Sequence, residues 1–249
     1  MLERSERLLP CRPSPQSHAG RYVRIRLEDA SSISTNRIFE LILAVAAAVW
    51  LISILNDSLS GWLGWLGPAI VLTAPVGLVT LIQGGKITRL GLNLDRPGYC
   101  LGLLAVTCLA AFPATLAGLW LLSRIGVAPP LAPAIEKGAW PNWILYQFMY
   151  IAVAEEIFFR GYVQSALLQM KPPLAMRYPR IWQGITIVIS AGVFALAHTI
   201  ILGDILSVLT FFPGLILGWL FVRTRSLLAP VLFHGLANVC YAIMAVILS

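Results

Sequence analysis

The sequence predicts an all-α, polytopic transmembrane helix bundle of about seven spans, with six to eight as the range. Three observations carry that prediction. Of the 249 residues, 58% are hydrophobic and 12% charged, with mean hydropathy +0.81, whereas soluble domains carry about 25% charged residues. The apolar residues gather into runs of about twenty, the length that crosses a bilayer core as a helix. The basic residues fall in alternate gaps between those runs, as they do in membrane proteins. A net charge of +7 is therefore a topology signal, and no nucleic-acid partner is expected.

Taken in order, residues 1–36 are polar, rich in Arg, Ser and Pro, and lack the apolar core of a signal peptide. They read as a disordered cytoplasmic tail, and residues 37–249 as one transmembrane helical domain. The first span is Ile38–Leu55, ended by Asn56 and Asp57. A Gly/Trp-rich turn, Gly61–Gly67, leads into a second span ending near Ile82, its tryptophans suited to the membrane interface. The loop Gln83–Gly98 carries Lys86, Arg89 and Arg96, and the third span is Tyr99–Leu122, with Pro113 as a kink. Pro129, Pro130, Pro133 and Pro141 break residues 123–141 into a loop. A long fourth helix, Asn142–Met170, precedes a basic, proline-containing connector of residues 171–180. The last spans are Ile181–Leu202, Ile205–Val222 and Leu227–Leu248. There is no evident duplication of the kind that builds many transporters. Cys11, Cys100, Cys108 and Cys240 are scattered and read as free thiols.

Of the 18 Lys and Arg residues, fifteen fall on one side of this map, two (Arg124 and Lys137) on the other, and Arg160 lies inside a span. The asymmetry places the N-terminus in the cytoplasm. The setting expected is an integral protein of the bacterial inner (plasma) membrane.

The intramembrane candidates are six charged, histidine and asparagine residues: Glu155, Glu156, Arg160, His198, His234 and Asn238. A charge at mid-bilayer costs roughly 2.5–3.5 kcal/mol on insertion scales, so each needs a partner or a task. At about 100° per residue, Glu156 and Arg160 lie about 40° apart and can pair, whereas Glu155 points elsewhere. Glu156 is the structural partner and Glu155 the free carboxylate, suited to act as a general base on water. His234 and Asn238, four residues apart, share one wall and offer donors to an oxyanion or a bound carbonyl. His198 can hold the water, ligate a metal or shuttle a proton. This is a hydrolase inventory without a serine or cysteine nucleophile.

Glu155-Glu156-x-x-x-Arg160 followed by Gly161, then Phe194-x-x-x-His198, then His234-x-x-x-Asn238, resembles the CPBP family. That family includes the type II CAAX prenyl endopeptidases and the bacterial Abi-like bacteriocin-processing and immunity proteins. Gly214, Gly218 and the turn Thr224-Arg225-Ser226-Leu227 precede the last motif, and the resemblance covers residues 141–242. It implies an intramembrane endopeptidase in which Glu155 activates water, His198 helps position it, and His234 with Asn238 stabilises the oxyanion. Glu156 and Arg160 would fix the helix. The substrate implied is a membrane-embedded or lipid-anchored protein or peptide met in the lipid bilayer. There is no HExxH, and Glu155, His198 and His234 suit either a divalent metal such as zinc or no cofactor; the metal-free site is the preferred reading. Two other functions compete: a proton- or ion-coupled membrane transporter, and a non-catalytic scaffold or immunity protein. Neither GxSG nor GxGD is present, which disfavours serine and aspartyl intramembrane proteases.

Overall fold

The computed structural model describes residues 36–55, 62–82, 90–126, 138–170 and 172–248, and its regular elements are all helices. They are α1 (Asn36–Leu55), α2 (Trp62–Ile82), α3 (Pro97–Arg124), α4 (residues 140–169), α5 (Pro173–Arg177), α6 (Pro179–Leu202), α7 (Phe211–Thr224) and α8 (Leu228–Leu248). A 3-10 stretch, Ile205–Thr210, leads into α7. Apart from Asn36, which starts α1, the expected tail of residues 1–36 lies outside the described residues, as do 127–137 of the proline-rich loop. The chain divides into two units, residues 1–40 and 41–249. The described part of the first is the opening turn of α1, where Arg37 pairs with Glu40 at 3.0 Å.

Asn36–Leu55, Pro97–Arg124, Pro179–Leu202 and Ile205–Thr224 are each long and apolar enough to cross a membrane, and Leu66–Leu81 and Leu228–Met244 are shorter apolar helices. With α4, which carries the intramembrane charges, they account for the seven segments read from the sequence. The molecule is a helical membrane bundle. Two boundaries differ from expectation. Residues 62–67, read as a Gly/Trp turn, are the start of α2 despite their glycines, because backbone groups among apolar side chains find hydrogen bonds most readily inside a helix. The basic connector also contains a helical turn, α5, with Pro173 at its start, where a proline sacrifices no hydrogen bond.

α4 is continuous but not uniform. It is α-helical over Trp140–Tyr146, Val153–Glu156 and Ser165–Gln169, and π-helical over Gln147–Ala152 and Ile157–Gln164. Such widened turns are frequent at functional sites, and here they flank Glu155 and Glu156 on both sides.

The other helices pack around α4 through side chains that reach foreign carbonyls. Trp182 on α6 donates to Leu167 O at 3.1 Å, and Ser190 to Phe159 O at 3.3 Å. α6 thus runs antiparallel to α4, starting beside its C-terminal end. Arg160 and Gln164 donate to the carbonyls of Gly214 and Gly218 on α7, at 3.3 and 3.0 Å. Both glycines are needed for the approach: a Cβ at Gly214 would lie 3.2 Å from Ala191, and one at Gly218 3.2 Å from Ile187 and from Gln164. α8 also runs antiparallel to α4, but it begins part-way along it, with Leu227 beside Gly161.

The turn between α7 and α8 is clamped to the segment before α3. Leu227 N donates to Gly91 O at 2.8 Å, Asn93 Nδ2 to Arg225 O at 2.8 Å, and Ser226 Oγ to Asn93 O at 2.7 Å. Gly91 sits at φ +83°, which a residue with a Cβ rarely adopts. Apolar packing divides in two: α1, α2, α4 and α6 share one cluster around Phe158, Phe159 and Phe194, and α3, α7 and α8 another around Leu217 and Phe233.

Candidate active site

The i, i+4 spacing on α4 sets the first contact. Arg160 Nη1 donates to Glu156 Oε1 at 2.9 Å, and both side chains are 0% exposed. The guanidinium lies 4.5 Å from the centroid of the Phe194 ring, a cation–π contact. His234 of α8 reaches the same carboxylate, its Nδ1 standing 2.8 Å from Glu156 Oε1. Glu156 therefore joins two motifs as well as bracing its own helix.

Glu155 turns away from this pair. Its Oε2 lies 3.7 Å from His198 Nε2 and 3.8 Å from His234 Nε2, and its side chain is 16% exposed. These gaps are too long for direct hydrogen bonds and within reach of one shared water. The sequence, read as straight spans, places His234 and His198 at different depths. The offset starts of α6 and α8 along α4 bring them level, so three residues from three helices converge.

The partners of the two histidines fix which ring nitrogen faces inward. His198 Nδ1 is 3.0 Å from Phe194 O, and a carbonyl only accepts, so Nδ1 carries a proton, and in the neutral ring Nε2 is an acceptor. His234 Nδ1 donates to the carboxylate of Glu156 by the same reasoning, and in the neutral ring its Nε2 is likewise an acceptor. As arranged, His234 offers the Glu155 side a lone pair; it becomes a donor there once Nε2 is protonated. Asn238, expected beside His234, donates from Nδ2 to Gln147 Oε1 at 2.8 Å, which leaves it one further N–H.

Gln147 was not singled out from the sequence, although an amide in an apolar segment was a usable signal. Phe194 has more roles than its place in the motif suggested: carbonyl partner of His198, cover for Arg160, and an edge contact to His234 at 5.9 Å between centroids.

A tetrahedral zinc, with ligands at about 2.0–2.1 Å, draws ligand atoms to about 3.3 Å of one another, closer than Glu155 Oε2 stands to either imidazole. Among the described residues, no group of three or more His, Cys, Asp or Glu is disposed to hold a metal ion.

A cavity of about 200 Å³ opens beside Glu155 and His198, walled by Ala48, Val49 and Ile52 of α1, Pro68 and Leu72 of α2, and apolar residues of α4 and α6.

A carboxylate set between two imidazoles within a helical membrane bundle is an arrangement able to hold and polarise a water. Residues 137–240 match the family described as type II CAAX prenyl endopeptidase Rce1-like, a match that supports placing this segment among the CPBP intramembrane proteases. The match takes in all three motifs and leaves α1, α2 and α3 outside it. Neither a curated protein nor a solved structure matches the chain.

Proposed function

We propose that the protein hydrolyses a peptide bond of a membrane-associated protein or peptide, with Glu155 as general base on water and without a metal. The observation that carries this reading is the approach of His198 Nε2 and His234 Nε2 to Glu155 Oε2, at 3.7 and 3.8 Å. A water held there has two protons and can direct them to Glu155 and His198, which turns an oxygen lone pair towards a substrate carbonyl. As the water attacks, its proton passes to Glu155. The oxyanion formed is met by the remaining N–H of Asn238 and by His234 when its Nε2 is protonated. When the C–N bond breaks, Glu155 returns the proton to the departing amine, leaving a carboxylic acid on the other fragment. Glu156 acts through His234, holding its ring orientation and tautomer, and Arg160 fixes Glu156.

The family's description points to prenylated C-termini as one substrate class. A lipid-anchored or membrane-embedded segment is the form in which a substrate would reach this site. The charge asymmetry of the sequence supports a cytoplasmic N-terminus, and a bacterial inner membrane is the setting proposed.

The test compares protein termini, by mass spectrometry, in membranes of cells producing the wild type or Glu155→Gln at equal abundance. New termini confined to the wild type are expected. Identical profiles would remove the protease reading.

A further inference from the structure

The cavity beside Glu155 is built from two sources. Its polar edge, Glu155 and His198, comes from the segment that matches the protease family. Five of its apolar residues, Ala48, Val49, Ile52, Pro68 and Leu72, come from α1 and α2, which lie outside that match. Ala48, Ile52 and Leu72 are buried, as are Phe158, Phe159 and Ala197 on the opposite walls, so the space has fixed sides.

We infer that this cavity receives one apolar side chain flanking the scissile bond, and that α1 and α2 set the size accepted. The inference rests on the protease reading above. A carbonyl attacked by water at Glu155 Oε2 must lie at the cavity's polar edge, and the adjoining residue's side chain then has this space before it. The volume selects the occupant: a cavity of about 150 Å³ holds a benzene ring, so one of about 200 Å³ takes a leucine- or phenylalanine-sized group. A long isoprenoid or acyl chain is larger than this space, so the bulk of any such lipid on the substrate lies outside it. One methylene more or less in an apolar pocket changes kcat/KM by about 10–200-fold, enough to define a preference.

The test uses a substrate located by the terminal-peptide comparison, remade with Ala, Leu, Phe or Trp on either side of the cut and presented to the full-length protein in vesicles. Wild type should favour Leu or Phe over Ala by at least about tenfold at one of the two positions. Ala48→Leu, which fills the cavity, should lower the Phe-to-Ala ratio of kcat/KM at least about tenfold. Ile52→Ala, which enlarges it, should raise the Trp-to-Leu ratio and serves if Ala48→Leu fails to fold. Unchanged ratios in a variant that still cleaves would overturn the inference and leave the protease reading intact. Preference governed by lipidation of the substrate and indifferent to these residues would also overturn it. Absence of any Glu155-dependent termini would overturn both.

Discussion

Side-chain hydrogen bonds of α1–α3 stay within their own helix, whereas those that cross from one helix to another gather in α4–α8. In the first group the hydroxyls are satisfied locally: Ser53 donates to Val49 O, Thr73 to Ala69 O, Thr80 to Val76 O, Thr107 to Leu103 O and Thr115 to Ala111 O, each one turn back on its own helix. In the second group some still bond within their own helix, as Thr199 does to Ala195 O and Thr224 to Leu220 O, but Arg160, Gln164, Trp182, Ser190, His234 and Asn238 cross between helices. A hydroxyl bonded to its own helix is content in any apolar surroundings and says nothing about neighbours. A side chain bonded to another helix fixes register, and register is what a site assembled from three helices needs.

The largest effect expected from breaking this contrast is at Glu156. Glu156→Leu strands the buried Arg160 and removes the anchor of His234. It should lower stability by about 3–5 kcal/mol and abolish cleavage, seen as reduced thermal midpoint in detergent. The double variant Glu156→Leu/Arg160→Leu should recover part of the stability but none of the activity; equal loss in single and double variants would contradict the pairing. A middle effect is expected where backbones meet. A Cβ at Gly161 would lie 2.9 Å from Leu90 O, so Gly161→Val should cost about 1–3 kcal/mol through overpacking, measured in the same assay. The smallest belongs to the local hydroxyls. Thr115→Val should stay within about 0.5 kcal/mol of wild type, with cleavage unchanged; a larger drop would show that α3 hydroxyls also specify the bundle.

Much of the site was legible because helix geometry is regular over a single turn. The pairing of Glu156 with Arg160 follows from a spacing of four residues, and the divergence of Glu155 from its position one residue earlier. What the sequence concealed depends on longer distances. No residue pattern announces the π-helical stretches on either side of Glu155. Equal depth for His198 and His234 depends on α6 beginning beside Leu167 and α8 beside Gly161, an offset decided by packing. Gln147 escaped notice because its partner, Asn238, is 91 residues away. The helical start of α2 was hidden by glycines and tryptophans that resemble a turn when the surroundings are taken to be water.

The clamp between the segment before α3 and the α7–α8 turn also bears on how the chain is made. Asn93 and Arg225 are 132 residues apart, and chains are synthesised at about 5–20 residues per second. For roughly ten seconds of each synthesis, Gly91 and Asn93 are already made while the residues that will bond them are still untranslated. The α7–α8 turn thus secures a segment made long before it, and a ribosome that stops short of Leu227 leaves α1 and α2 packed on α4 and α6 but α3 without the α8 side of its cluster.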